Sequence, residues 1–359
     1  MSIFDAYFGK QHIAKLVHDY TISSGETAEE FGKVYVRKTQ DKLQVQFTIL
    51  MEPRGQQAEG WQTGVALDAS LSMTNAYGRE LIGQIPEAVI KEYERKKWVR
   101  YQHDDGQQFR IFERLAVEDA INKGYFRYTE NIVEPVARKF ISYLAHNLDT
   151  EGKTRVIYWA CGDGSKYEEV GHIGVEECEA LSITGPKEIR LGSSTQLRPA
   201  LEYYINRPLQ AKRNMYIFIT DGYLDDLEAV KRYTVQFAKQ IQRGQRNLTK
   251  CILIGVGKEV NERQMMELDD LDTGTKIDIW DHKLASHMRH LIEIFAELVD
   301  EHHIVAPMAT VFDSDNQLVK KFVDGLPAKV TIELPVTTKW FELEVMGKRI
   351  RQMVLPSSN

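Results

Sequence analysis

The chain has 359 residues, 43% hydrophobic and 27% charged, which suits a sizeable core in about two domains and carries no signature of disorder. A formal net charge of -6 argues against a general nucleic-acid binder, because neutralising phosphates needs an excess of Lys and Arg on at least one face. Cys161, Cys178 and Cys251 are odd in number and far apart, so neither a disulfide framework nor a zinc site is suggested.

The N-terminal stretch "MSIFDAYFGKQHIAKL" has polar residues every few positions and lacks the apolar run of a signal peptide or membrane helix. The expectation is no membrane partner and a reducing, cytoplasmic compartment. Next, "GKVYVRK" (32 to 38) alternates up to the turn-like "TQDK". "KLQVQFTIL" (42 to 50) then places Leu43, Val45, Phe47 and Ile49 on one face, the pattern of a half-buried strand. The polar "PRGQQAEGWQ" (53 to 62) reads as a junction.

From 63 to about 300 short apolar runs alternate with longer amphipathic segments. The runs are "GVAL" (64 to 67), "VIYWAC" (156 to 161), "MYIFI" (215 to 219), "CILIGV" (251 to 256) and "IDIW" (277 to 280). Such uninterrupted runs suit strands covered on both faces, and Cys161 and Cys251 within them read as small core residues. Between them Ile132, Val133, Val136, Phe140, Ile141 and Leu144 form one helical stripe. Leu227, Val230, Phe237 and Ile241 form a second, and Leu291, Ile292, Phe295 and Leu298 a third. The basic run "RKKWVR" (95 to 100) is followed by Asp104 and Asp105 and reads as a solvated helix face.

After residue 306 the chain is strand-like again: "ATVF", the turn "DSDN", "QLVKKFV", "KVTIEL", "WFELEV" and "RIRQMV". Too few strands occur at either end alone to bury a sheet face. The predicted architecture is therefore α/β. A doubly wound, mostly parallel, Rossmann-like sheet flanked by helices over 63–303 is inserted in a β-sandwich built from 1–62 and 304–359. The ligand site of such a sheet lies at the carboxyl ends of its strands.

Three stretches supply chemistry there. "TGVALDASLSM" ends a strand with Asp68, Ser70 and Ser72 at every second position; "RLGSSTQLRPAL" places Thr195 before a helix; "MYIFITDGYLDD" places Asp221 just past the most apolar strand. Two carboxylates and three hydroxyls, with no His or Cys, form an all-oxygen set suited to a hard cation. Magnesium is the first choice, with manganese or calcium as substitutes.

Asp68-x-Ser70-x-Ser72, Thr195 and Asp221-Gly222, in this order, resemble the metal-ion-dependent adhesion site (MIDAS) of von Willebrand factor A (VWA) domains, over about residues 63 to 300. The resemblance implies that Ser70, Ser72 and Thr195 ligate the metal through hydroxyls, with Asp68 and Asp221 acting directly or through water. It also implies that a protein partner's Asp or Glu completes the shell, which is recognition and not catalysis. "FITDGYLDD" is most similar to intracellular bacterial VWA proteins of the tellurite-resistance-associated kind. These often accompany MoxR-type AAA ATPases as adaptors in stress or defence modules. Two departures stand out: Leu71 replaces the family's Gly and could narrow the mouth of the site, and the segment 91–128 is longer than the usual connection, an excursion read as partner-binding, with extra packing as the alternative.

Simpler readings stand beside these. Asp68, Ser70 and Ser72 could form a helix N-cap, and capping is the default for Asp225 and Asp226 before the helix near Leu227. Asp163 in "CGDGSK" reads as a turn residue or as a hydrogen-bond acceptor behind the metal ligands. His287, His290, His302 and His303 lack a zinc-hydrolase motif. "DSDN" lacks the Gly and Glu of a calcium loop and reads as a β-turn. Two rival functions remain: a magnesium-dependent phosphoester hydrolase with Asp68 as nucleophile, which lacks a carboxylate two residues on because Ser70 stands there, and a metal-free structural scaffold.

Overall fold

A computed structural model describes residues 18–22, 26–50, 60–104, 107–207, 211–288 and 304–355. The N-terminal strands β1 (His18–Thr21), β2 (Phe31–Lys38) and β3 (Lys42–Ile49) form an antiparallel set. In β3 the alternation of apolar and polar residues places Leu43, Val45, Phe47 and Ile49 inside, as their period of two requires.

Chain order then gives β4 (Trp61–Asp68), β5 (Leu81–Gly83), α1 (Glu87–Arg95), β6 (Val99–Asp104), β7 (Gln107–Phe112), α2 (Arg114–Asn122), β8 (Phe126–Tyr128) and α3 (Val133–Asn147). There follow β9 (Thr154–Cys161), β10 (Lys166–Ile173), α4 (Val175–Ala180), α5 (Leu197–Ile205), β11 (Arg213–Thr220), α6 (Leu227–Gln242), β12 (Leu248–Gly255), α7 (Glu262–Asp269) and β13 (Trp280–Leu284). The last strands are β14 (Ile304–Ala306), β15 (Ala309–Asp313), β16 (Leu318–Phe322), β17 (Leu326–Pro327), β18 (Lys329–Pro335), β19 (Trp340–Val345) and β20 (Lys348–Met353).

The expected doubly wound, mostly parallel, Rossmann-like sheet inserted in a β-sandwich is not what forms. The chain is a mixed α/β structure in which strand residues outnumber helical ones, with one mixed six-stranded sheet and several small antiparallel sheets. The large sheet has the order β10-β9-β4-β11-β12-β13, and its edge strand β10 runs antiparallel to β9. The cause is local: only Gly162–Ser165 join β9 to β10, far short of the dozen residues a parallel crossover needs. β10 is mostly exposed or half-buried, so "KYEEVGHI" carries no apolar signal.

Another expected strand shifts. Of "IDIW" only Trp280 lies in β13, because the chain is still turning at Ile277: the Thr273 hydroxyl donates to the Ile277 carbonyl at 3.0 Å, and Gly274 takes φ +66°.

The core of the large sheet follows from its alternation. Val65 and Leu67 of β4, with Met215, Ile217 and Ile219 of β11, share a cluster with Phe140, Ile141 and Leu144 of α3. Ala66, Tyr216 and Phe218 point the other way, into a cluster with Leu197 and Leu201 of α5 and Val230 and Phe237 of α6. Covering both faces explains why these strands read as unbroken apolar runs.

Residues 81–128 build a small unit of their own between β4 and α3. It has two two-stranded antiparallel sheets, β5 with β8 and β6 with β7, and a core of Ile85, Ile90, Tyr93, Ala116 and Ala120. Within its basic run, Lys96 pairs with Glu92 and Arg100 with Glu113, both on the surface. The two ends of the chain meet where β18 pairs antiparallel with β3. The sheets β1-β2-β3-β18 and β16-β15-β19-β20 share one buried cluster, in which Phe31, Phe47 and Phe341 pack ring against ring. Among the described residues no helix is long and apolar enough to cross a membrane. The third helical stripe, with Leu291, Ile292, Phe295 and Leu298, and His290, His302 and His303 lie outside the described residues.

Candidate functional site

β4 and β11 are parallel neighbours in register, Leu67 opposite Ile219, so their carboxyl ends bring Asp68 and Thr220 side by side. Asp68 is wholly buried. Its Oδ1 accepts from the Ser70 backbone N–H at 2.8 Å and its Oδ2 from the Thr220 hydroxyl at 2.7 Å. The Ser70 and Ser72 hydroxyl oxygens lie 2.9 Å apart. Ser70 occupies the N-cap position of the 3₁₀ turn Leu71–Thr74, yet its side chain makes no capping bond. Ser70 therefore does not cap this turn through its hydroxyl, and its own N–H is held by Asp68. Tyr77 donates its hydroxyl to the Asp68 carbonyl at 2.7 Å and fixes the turn from beneath.

Asp221 follows β11 directly and is half-buried. The next residue must be glycine: Gly222 has φ +81°, and a Cβ there would press to 2.9 Å on the Asn261 carbonyl oxygen. The Gly222 N–H donates to the Thr220 hydroxyl at 3.0 Å, and the Tyr223 N–H to Asp221 Oδ1 at 3.1 Å.

Thr195 arrives on a third segment, which is stitched to the first. Leu71 N–H donates to the Gly192 carbonyl at 2.9 Å, and Gly192 N–H donates to the Ala69 carbonyl at 2.8 Å. Gly192 has no room for a side chain, because a Cβ would overlap the Ala160 carbonyl oxygen. Thr195 is buried, and its backbone N–H donates to Asp225 Oδ2 at 2.8 Å.

Asp225 and Asp226 are not caps of α6. Asp226 stands at the N-cap position of α6 without a side-chain capping bond. It accepts instead from the Leu197 and Arg198 N–H groups, each at 2.9 Å, and so caps α5 across the loop. Asp225 holds Thr195. The role of Thr220 was also invisible in sequence. Its only signal is its place one residue before Asp221, and the neighbouring strand is needed to show what it touches.

The electrostatics are set by burial. The Asp68 carboxyl is pushed up to about 7, first because it is buried and second because the Asp221 charge is close; the bonds from Thr220 and Ser70 oppose this. Among the described residues no Lys, Arg or His forms an ion pair with it. Two neighbouring carboxylates without a positive partner, beside the paired hydroxyls of Ser70 and Ser72, suit a hard divalent cation with oxygen ligands. Among the described residues no group of three or more His, Cys, Asp and Glu side chains could hold a metal ion.

The remaining features are structural. Leu71 opens a right-handed 3₁₀ turn that needs no positive φ, and its side chain is 58% exposed, so it neither strains the backbone nor plugs the turn. Asp163 accepts from the N–H and hydroxyl of Ser165, the turn expected for Gly-Asp-Gly, and these bonds lower its carboxyl from the ordinary value. Asp313 of "DSDN" accepts from the N–H groups of Asp315 and Gln317 in a tight turn between β15 and β16. Compared with known proteins, the chain matches no family model and no curated protein.

Proposed function

We propose that this protein is a metal-dependent protein-interaction module whose site is of the VWA, MIDAS type. Asp68, Ser70, Ser72, Thr195 and Asp221 would hold magnesium, with manganese or calcium as substitutes. The observation that carries this reading is the buried Asp68 carboxylate, raised by burial and by the neighbouring Asp221 charge, at a sheet edge where the Ser70 and Ser72 hydroxyls lie 2.9 Å apart. When bound, the cation supplies a Lewis-acidic position for a carboxylate oxygen from an Asp or Glu of a protein partner. The chain's own contribution is to hold the donors: Thr220 and the Ser70 N–H orient the two oxygens of Asp68, and Gly222 lets Asp221 turn at the end of β11.

The module acts by recognition, in the cytoplasm. Its three unpaired, buried cysteines support a reducing setting. A MoxR-type AAA ATPase of a bacterial stress or defence system is the proposed companion, on the resemblance of "FITDGYLDD" alone. The donor set weighs against the phosphoester hydrolase: Ser70 stands two residues after Asp68, where such an enzyme needs a second carboxylate as acid or base.

The test is a thermal melt of the wild type and of Asp68→Ala, each in chelator and in millimolar magnesium. A ligand bound only by the folded state stabilises it by about 2.7 kcal/mol at a hundredfold excess over Kd. A magnesium-dependent rise confined to the wild type is expected. No rise in either folded protein would leave the metal-free scaffold, and phosphoester turnover that required Asp68 would restore the enzyme.

A further inference from the structure

We propose that Asp225 is a positioning residue for the candidate metal site, holding Thr195 in the donor set; the inference rests on the metal-binding reading above. The three donor segments come from distant parts of the chain. The first two are joined by the Asp68–Thr220 bond between adjacent strands. Thr195 has no such strand beneath it. Its segment leaves the sheet edge at Gly192, paired to Ser70, and α5 begins only at Leu197. Of the residues between, the Ser193 N–H donates to the Gly162 carbonyl at 3.1 Å and the Gln196 N–H to the Gly164 carbonyl at 3.3 Å, which leaves Ser194 and Thr195 to be fixed by other means.

Asp225 does this at Thr195 itself. The Thr195 N–H donates to Asp225 Oδ2 at 2.8 Å, the Ser194 hydroxyl donates to the same oxygen at 2.8 Å, and the Asp225 N–H donates back to the Thr195 carbonyl at 2.9 Å. Both backbone groups of Thr195 are thus taken up by one residue. Its hydroxyl, on a residue only 5% exposed, has no hydrogen-bond partner among the described residues and is free to serve as a donor. Asp225 also lies four residues after Asp221, on a loop stapled by Leu224 N–H to Gln264 at 2.7 Å. One side chain therefore fixes the third donor relative to the carboxylate on β11.

A metal site held by weak neutral donors depends on their pre-organisation, and loss of such an outer partner typically lowers metal affinity by about 10- to 100-fold. The experiment measures magnesium and manganese affinity by titration calorimetry for the wild type and for Asp225→Ala, Asp225→Asn and Asp225→Glu. Hydrogen exchange at the Thr195 amide is followed in the metal-free proteins.

The expected result is weakening by about 10- to 100-fold in Asp225→Ala. Near-wild-type affinity is expected in Asp225→Asn, whose carbonyl oxygen accepts the same two bonds, and faster exchange at Thr195 in the alanine and glutamate variants but not in the asparagine one. Asp225→Glu keeps the charge and displaces the acceptor by one methylene; it should bind weakly, and it replaces the alanine variant if that one does not fold. Wild-type affinity in Asp225→Ala or in Asp225→Glu would overturn the positioning role while leaving the metal site intact. A wild type that binds neither metal would overturn both.

Discussion

Replacing Asp68 by Asn should stabilise the metal-free protein at pH 8 and abolish its response to magnesium. In the folded chain the Asp68 carboxyl keeps its proton up to about 7, against 3.8 for an ordinary aspartate. Between those two values the folded state binds more protons than the unfolded one, so raising the pH destabilises it. Asp68 thus contributes stability that is fully present below 3.8 and lost as the pH rises through about 7. At ~1.4 kcal/mol per pH unit, the gap amounts to about 4 kcal/mol between the charged and neutral carboxyl. Asparagine carries no charge, retains an oxygen for the Ser70 N–H and presents its NH₂ to the Thr220 oxygen, which already accepts from Gly222. The displaced Thr220 hydroxyl proton offsets part of the gain, which leaves about 2 kcal/mol in favour of the variant at pH 8 and roughly none at pH 5. Urea unfolding in chelator at both pH values reads this directly, and millimolar magnesium should then stabilise the wild type alone. An identical difference between variant and wild type at pH 5 and pH 8 would refute the reasoning, because a buried charge must show itself in the pH dependence.

Other sites give independent checks. Gly192→Ala should cost roughly 2 kcal/mol or more in urea unfolding, since its Cβ overlaps the Ala160 carbonyl and the bonds to Ala69 and Leu71 must shift; a variant of wild-type stability would show that the segment yields freely. Tyr77→Phe leaves the buried Asp68 carbonyl without its 2.7 Å bond and should lose about 1–2 kcal/mol by the same measurement, whereas no loss would place another donor there. Lys250 lies buried 2.7 Å from Asp281 and 2.8 Å from Asp278, so Lys250→Met should cost about 3–5 kcal/mol by stranding a buried carboxylate. Adding Asp281→Asn should recover much of that loss in the double-variant melt, and no recovery would show that Asp281 is not the stranded charge.

Strands that bury both faces announce themselves in the chain. "GVAL", "VIYWAC", "MYIFI" and "CILIGV" became the centre of the large sheet, where strands covered on both faces need unbroken apolar runs. Asp68, Ser70, Ser72, Thr195 and Asp221 were proposed as donors from residue type and order alone, and metal binding by them is the proposal that the melt tests. What escaped was set by long-range pairing. β10 turns back antiparallel on an exposed face, the chain is still turning at Ile277, and the sheet is mixed in consequence. Asp225 and Asp226 sit where a helix cap belongs, and local pattern assigns them to α6. Only the packed fold brings the start of α5 and the backbone of Thr195 within 2.9 Å, near enough to take those carboxylates away. Local periodicity decides which segments are buried; which hydrogen-bond partner a side chain finds is decided by segments tens of residues away, whose arrival no local pattern encodes.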